Sequence, residues 1–139
     1  MKIKIREFKN EDANFILSTW IKSFYSNGTG YRERMSVFHK GMEALIKGKY
    51  EDKSIIPLVA CLDEDEDAIL GFAVFGTDYT LHYVCVKETY KKMGISKILL
   101  GHMFKNRKEI TVSHWTKDIK YIQKNYDVTY NRFKFFNQG

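Results

Sequence analysis

Chemistry in this chain concentrates in one stretch, Val84-Cys85-Val86-Lys87-Glu88-Thr89-Tyr90-Lys91-Lys92-Met93-Gly94-Ile95-Ser96-Lys97-Ile98-Leu99-Leu100. Alternating valines end a strand, a short basic loop turns, and a helix opens with Gly94 near its first turn. The first turn of a helix leaves its N–H groups unpaired and carries partial positive charge, so it holds phosphate without special side chains. A glycine there lets a ligand approach the backbone closely. Lys91, Lys92 and Lys97 add charge where two linked phosphates would lie. The segment therefore suits a phosphorylated ligand, and it equally suits an ordinary strand-to-helix turn.

Other titratable groups lie outside this stretch. His114 and His82 are side chains that change charge near neutrality. His82 falls within a predicted strand, where a satisfied core histidine is the commoner case. The acidic run Asp63-Glu64-Asp65-Glu66-Asp67 reads as a solvated hairpin turn. No spaced His or Cys accompanies it, so no metal site is expected. Cys61 and Cys85 fall in apolar, strand-like stretches and read as buried free thiols rather than a disulfide framework. That implies a reducing, cytoplasmic setting.

The elements that must position these groups follow from period and punctuation. Residues 3–8 alternate as a strand. Asn10 stands where a helix cap belongs, followed by Glu11 and Asp12. Ala13, Ile16, Leu17, Trp20, Ile21 and Phe24 then recur at helical spacing, and Ser26-Asn27-Gly28-Thr29-Gly30 ends that helix. A second amphipathic helix is predicted over 32–49. Three strands, 55–62, 68–77 and 79–86, form an antiparallel meander, with Pro57 pointing to an edge position or a bulge. A helix over 94–106, a strand over 110–112, a helix over 116–124 and a strand over 128–136 complete the order. The fold expected is α/β (α+β), a mixed central sheet of about six to seven strands flanked by about four helices.

The 139 residues suit one domain, 1–139, and 44% apolar with 29% charged residues is a globular composition. The net charge of +6 invites a nucleic-acid reading, but the lysines are scattered; the densest cluster is Lys105, Arg107 and Lys108. The start, Met1-Lys2-Ile3-Lys4-Ile5, alternates rather than forming the apolar core of a signal peptide. No apolar run approaches the roughly 18 residues of a membrane span, so no membrane partner is expected.

The binding segment resembles the acetyl-CoA motif of the GNAT N-acetyltransferase superfamily: alternating valines, a loop, then Arg/Gln-x-x-Gly-x-Gly/Ala opening a helix that ends in Leu-Leu. Here it stands as Lys91-Lys92-Met93-Gly94-Ile95-Ser96, followed by Lys97-Ile98-Leu99-Leu100. Lys91 replaces the usual Arg or Gln, and Ser96 the second small residue. The chain is similar, more finely, to small acetyltransferase-like proteins of tailed bacteriophages. The stretches that carry this are Thr19-Trp20-Ile21-Lys22-Ser23, Leu81 to Lys87, Ser113-His114-Trp115-Thr116 and Tyr130-Asn131.

The resemblance implies an acetyl-CoA-dependent enzyme that acetylates a primary amine on a small molecule, a protein or a modified nucleic acid, in the host cytoplasm if phage-encoded. It implies that the backbone of Val84, Cys85 and Val86 pairs with the pantetheine arm, that the N–H groups from Lys92 to Lys97, Met93, Gly94, Ile95 and Ser96 included, cradle the diphosphate, and that the cofactor enters where two strands part beside Val86. Tyr121, in Tyr121-Ile122-Gln123-Lys124-Asn125-Tyr126, takes the place of the family's proton donor to sulfur. His114, Glu109 and His82 are the candidate bases. Trp20, Lys22 and Tyr25 line either the acceptor side or the core, and the loop from Ser26 to Tyr31 would tune the acceptor. The alternatives are a GNAT fold with a degenerate site that inhibits a host factor, and a nucleic-acid binder that uses the basic surface.

Overall fold

The computed structural model describes residues 2–26 and 34–136, so most of the loop from Ser26 to Tyr31 lies outside the described residues. Strand β1 (Ile3–Glu7) leads through a 3-10 turn at Asn10–Asp12 into α1 (Ala13–Ser26), and α2 (Met35–Glu51) follows. Asn10 does not cap the entry. Asp12 does: its buried carboxylate accepts the Lys9 N–H at 2.8 Å and both Arg6 guanidinium nitrogens at 2.7 and 2.9 Å. The cap therefore also ties α1 to β1.

Strands β2 (Ile55–Leu62), β3 (Asp65–Gly76) and β4 (Thr80–Val86) form the antiparallel meander. The hairpin turn tightens to Asp63 and Glu64, and Glu66 holds Lys4 and Lys9 at 2.8 and 2.7 Å. Pro57 pairs with Val74 of β3 but lies just beyond Leu58, where the β1 pairing ends, so its missing N–H faces an open edge.

After β4 come α3 (Ile95–Phe104), β5 (Glu109–Val112), α4 (Ile119–Ile122), β6 (Asp127–Tyr130) and α5 (Phe133–Phe136). The six strands lie in sequence order in one sheet, antiparallel from β1 to β4 and parallel from β4 through β6. The predicted strand over 128–136 is thus corrected: it breaks after Tyr130. The Asn131 side-chain oxygen accepts the Phe133 N–H at 3.1 Å, and the turn it starts carries Phe135 into the core, where it is fully buried. The predicted helix over 116–124 shortens to the four residues of α4.

Two cores sandwich the sheet. Ile16, Trp20, Phe24, Phe38, Met42 and Phe135 pack under α1, α2 and α5, against Val59, Phe72, Val74 and Tyr83. Ile95, Leu99, Phe104, Ile119 and Ile122 cover the other face, against Ala73, Phe75, Leu81 and Val84. A bulge separates Leu81 from Tyr83 on β4: Val74 pairs with Tyr83 and Phe75 with Leu81, leaving His82 as the extra residue.

Candidate active site

Strand β4 pairs with β5 only at Thr80 and Leu81, opposite Thr111 and Val112, with one further bond from the Ser113 N–H to the Leu81 carbonyl at 3.0 Å. Beyond Leu81, β4 keeps its β3 partner to Val86 but, among the described residues, has no strand partner on its other edge. The sheet therefore parts beside Val84 to Val86. On the α3 side this parting opens into a groove of about 510 Å³ between the α3 entrance and α4.

The turn into α3 is shaped by backbone conformation. Lys92 adopts φ +69° and Gly94 φ +77°, both in the left-handed region, where glycine alone is unstrained. Gly94 is the N-cap, and the first helical bond runs from the Ile98 N–H to the Gly94 carbonyl at 3.0 Å. Among the described residues no backbone carbonyl receives the N–H groups from Lys92 to Lys97. A Cβ built on Gly94 would meet nothing within 4 Å, so the space beside this glycine is open.

Of the expected binding residues, Val84, Val86, Lys91, Lys92, Gly94, Ile95 and Ser96 line the groove. Met93 and Lys97 point to solvent. Cys85 turns to the α1 face of β4, half-buried, and burial pushes its thiol pKa up. The far wall was not anticipated: beside Tyr121 it presents Lys117, Asp118, Lys120 and Asn125. The lining holds four lysines against two acids, Glu88 and Asp118, so its field favours an anion. Lys91 Nζ lies 3.2 Å from Glu88, and that hydrogen bond raises its pKa.

Tyr121 is 54% exposed on the groove wall, with Lys120 and Lys124 Nζ atoms 5.1 and 5.4 Å from its ring centre. The candidate bases lie elsewhere. His114 is buried on the α1 side, against Phe24 at 4.2 Å and Tyr83 at 5.7 Å between ring centres. Its Nε2 is 2.8 Å from Ser23 Oγ, and burial pushes its pKa down to about 4. His82 is wholly buried; its Nδ1 sits 2.6 Å from Ser113 Oγ, and burial likewise lowers it to about 4. Glu109 is exposed at the start of β5, before the Thr111 pairing and so at the opposite end of that strand from the parting.

Trp20 is core, fully buried and stacked 3° from parallel on Tyr83 at 6.2 Å. Tyr25 packs edge-on against Phe38, and Lys22 is exposed. Burial raises the Tyr83 phenol, with the Cys85 and Asp118 charges adding and a Ser23 hydrogen bond opposing. Ser23 and Tyr83 thus join His114 in one polar cluster on the α1 side. Their local signal was the apolar spacing around them, which marks core and hides polar partners.

Solved structures share this architecture. A possible acetyltransferase from Clostridium difficile 630 aligns over 94% of this chain and 95% of its own, at 19% identity and a TM-score of 0.58. A GCN5-related N-acetyltransferase from Rhodopseudomonas palustris aligns over 89% and 80%, at 14% identity and 0.60. The chain has a GNAT-like fold. A predicted acetyltransferase with acetyl-CoA, from Clostridium acetobutylicum, aligns over 99% of this chain and 90% of its own, at 11% identity and a TM-score of 0.55. At these identities the likeness is one of fold. No family model matches the sequence, and no curated protein matches it. Among the described residues no helix is long and apolar enough to cross a membrane.

Proposed function

We propose that this chain is an acetyl-CoA-dependent N-acetyltransferase that passes an acetyl group directly to a primary amine. The observation that carries this reading is the Gly94 turn at the mouth of a basic groove: no backbone carbonyl among the described residues receives the N–H groups from Lys92 to Lys97, and the space beside Gly94 is open. The residues fit the group: the turn and Lys92 hold a diphosphate, and the unpaired edge of β4 from Val84 to Val86 offers backbone donors and acceptors to an amide-bearing arm. When bound, acetyl-CoA supplies an acetyl group already activated as a thioester.

The chain's own residues then divide the proton work. Tyr121 lines the groove, and its phenol is the donor to a leaving sulfur. His114, neutral at pH 7 and hydrogen-bonded to Ser23, is a poor acceptor for a proton from an ammonium whose own pKa is about 10. Its role is to orient Ser23 and, through it, Tyr83. The finer likeness to phage acetyltransferase-like proteins rests on sequence motifs alone.

Calorimetric titration with coenzyme A tests the binding half, and thiol release from acetyl-CoA over a panel of primary amines tests the transfer. Saturable binding with amine-dependent thiol release supports the enzyme. A second reading, a GNAT fold kept as an interaction module, draws on Lys91 and Ser96, which depart from the motif, and on Lys91 being already engaged by Glu88. No heat at millimolar coenzyme A would favour that reading and rule out the enzyme.

A further inference from the structure

This inference rests on the cofactor reading above. Lys91 reaches across the groove: besides Glu88 on its own side, its Nζ lies 3.9 Å from Asp118 Oδ1 on the far wall. Asp118 lies three residues before Tyr121, and both line the groove. Its side chain is 34% exposed. Its charge is also felt at the Tyr83 phenol and the Cys85 thiol, whose side chains leave β4 toward the α1 side. Asp118 therefore stands where β4 and β5 part, with its field reaching both faces of the sheet.

A primary amine is a cation at neutral pH and needs an anion to receive it. Glu88, the other acid of the groove, has an 88% exposed side chain at the outer lip. His114 and Tyr83 are neutral near pH 7, the one lowered and the other raised by burial. Among the described groove residues that leaves Asp118, now paired with the lysine that borders the diphosphate turn. We propose that Asp118 is the carboxylate that receives the cationic acceptor, and that Lys91 covers it until a diphosphate on the Gly94 turn draws the lysine away. Cofactor binding then uncovers the acceptor's anchor.

The test follows the Asp118 side-chain carboxyl by carbon-13 NMR at pH 7, in the whole protein with and without coenzyme A. Glu88, Lys91 and Lys92 line the groove with it from the loop, and Lys117, Lys120 and Tyr121 from its own segment. Coenzyme A should shift the Asp118 signal, because a cation leaves and an anion arrives. In Lys91→Ala the signal should move less on loading. Asp118→Asn should tighten coenzyme A by about two- to five-fold, the range of an exposed ion pair, and should have no such effect in the Lys91→Ala background. n-Butylammonium should then shift the Asp118 signal in the loaded protein more than in the free one.

An Asp118 signal unmoved by coenzyme A, an equal shift in Lys91→Ala, or an Asp118 signal blind to n-butylammonium in the loaded protein overturns the inference and leaves the cofactor reading standing. Failure to bind coenzyme A overturns both.

Discussion

Lowering the pH should unfold this protein through its two buried histidines. His82 and His114 each fall from an ordinary 6.5 to about 4 in the folded chain. In the unfolded chain both regain the ordinary value, so between pH 6.5 and pH 4 the unfolded state binds protons that the folded state refuses. Stability is complete above the unfolded pKa and drains as pH falls toward the folded one. One unit of difference is worth about 1.4 kcal/mol, so each histidine contributes about 3 kcal/mol by pH 4. Together they remove about 6 kcal/mol, comparable with a typical total stability of about 5–15 kcal/mol. Near pH 5 the two together give a slope of about 2.4 kcal/mol per pH unit. The carboxylates held by cations, Asp12 and Glu66 among them, have lowered pKa values and surrender their share only at more acid pH, leaving this window to the histidines. Urea unfolding at intervals from pH 7 to pH 4.5 measures the slope, and His114→Gln should halve it whatever it does to stability at pH 7. A wild-type stability that stays flat from pH 6.5 to 5 would refute the burial argument and return His114 to the list of bases.

Gly94→Val should cost about 1–2 kcal/mol of stability, from a β-branched residue forced to φ +77°, and should abolish coenzyme A binding by placing a branched side chain in the open space beside the turn; denaturant melts and calorimetry separate the two effects. Tyr121→Phe should leave coenzyme A affinity within about two-fold and lower the transfer rate by roughly a hundred-fold or more, read as kcat against KM. Asp12→Ala should destabilise by about 3 kcal/mol or more, because it leaves Arg6, whose side chain is 8% exposed, without its partner; urea melts report it.

Much of the scaffold was legible because its signals are local. The apolar run of β2 and the helical spacing of Ile95, Ile98, Leu99, His102 and Met103 settle those elements before any tertiary contact is known. The Gly94 turn was legible for the same reason: its glycine and lysines are adjacent in the chain. Residues 128–136 misled because aromatic and β-branched residues suit a strand, whereas Phe135 is needed on the opposite face of the sheet, under Trp20 and Phe24. Of the far wall only Tyr121 was legible in the sequence, because α4 is four residues long and too short for its period to show which other residues turn to the groove. His114 looked like a base because its ordinary pKa is near neutral; the burial that lowers it comes from α1 and β4, far away in sequence. Asp118 carried no signal in the sequence, and only the parting of β4 from β5 gives it a neighbour across the groove.

The central claim is that the amides entering α3 bind a diphosphate. Proton–nitrogen correlation spectra recorded during a coenzyme A titration address it residue by residue. The account predicts saturable shifts concentrated on the backbone signals of residues 92–97, with the α1 and α2 signals of the opposite core nearly still. Spectra unchanged at millimolar coenzyme A, or shifts confined to the α1 and α2 face, would contradict it.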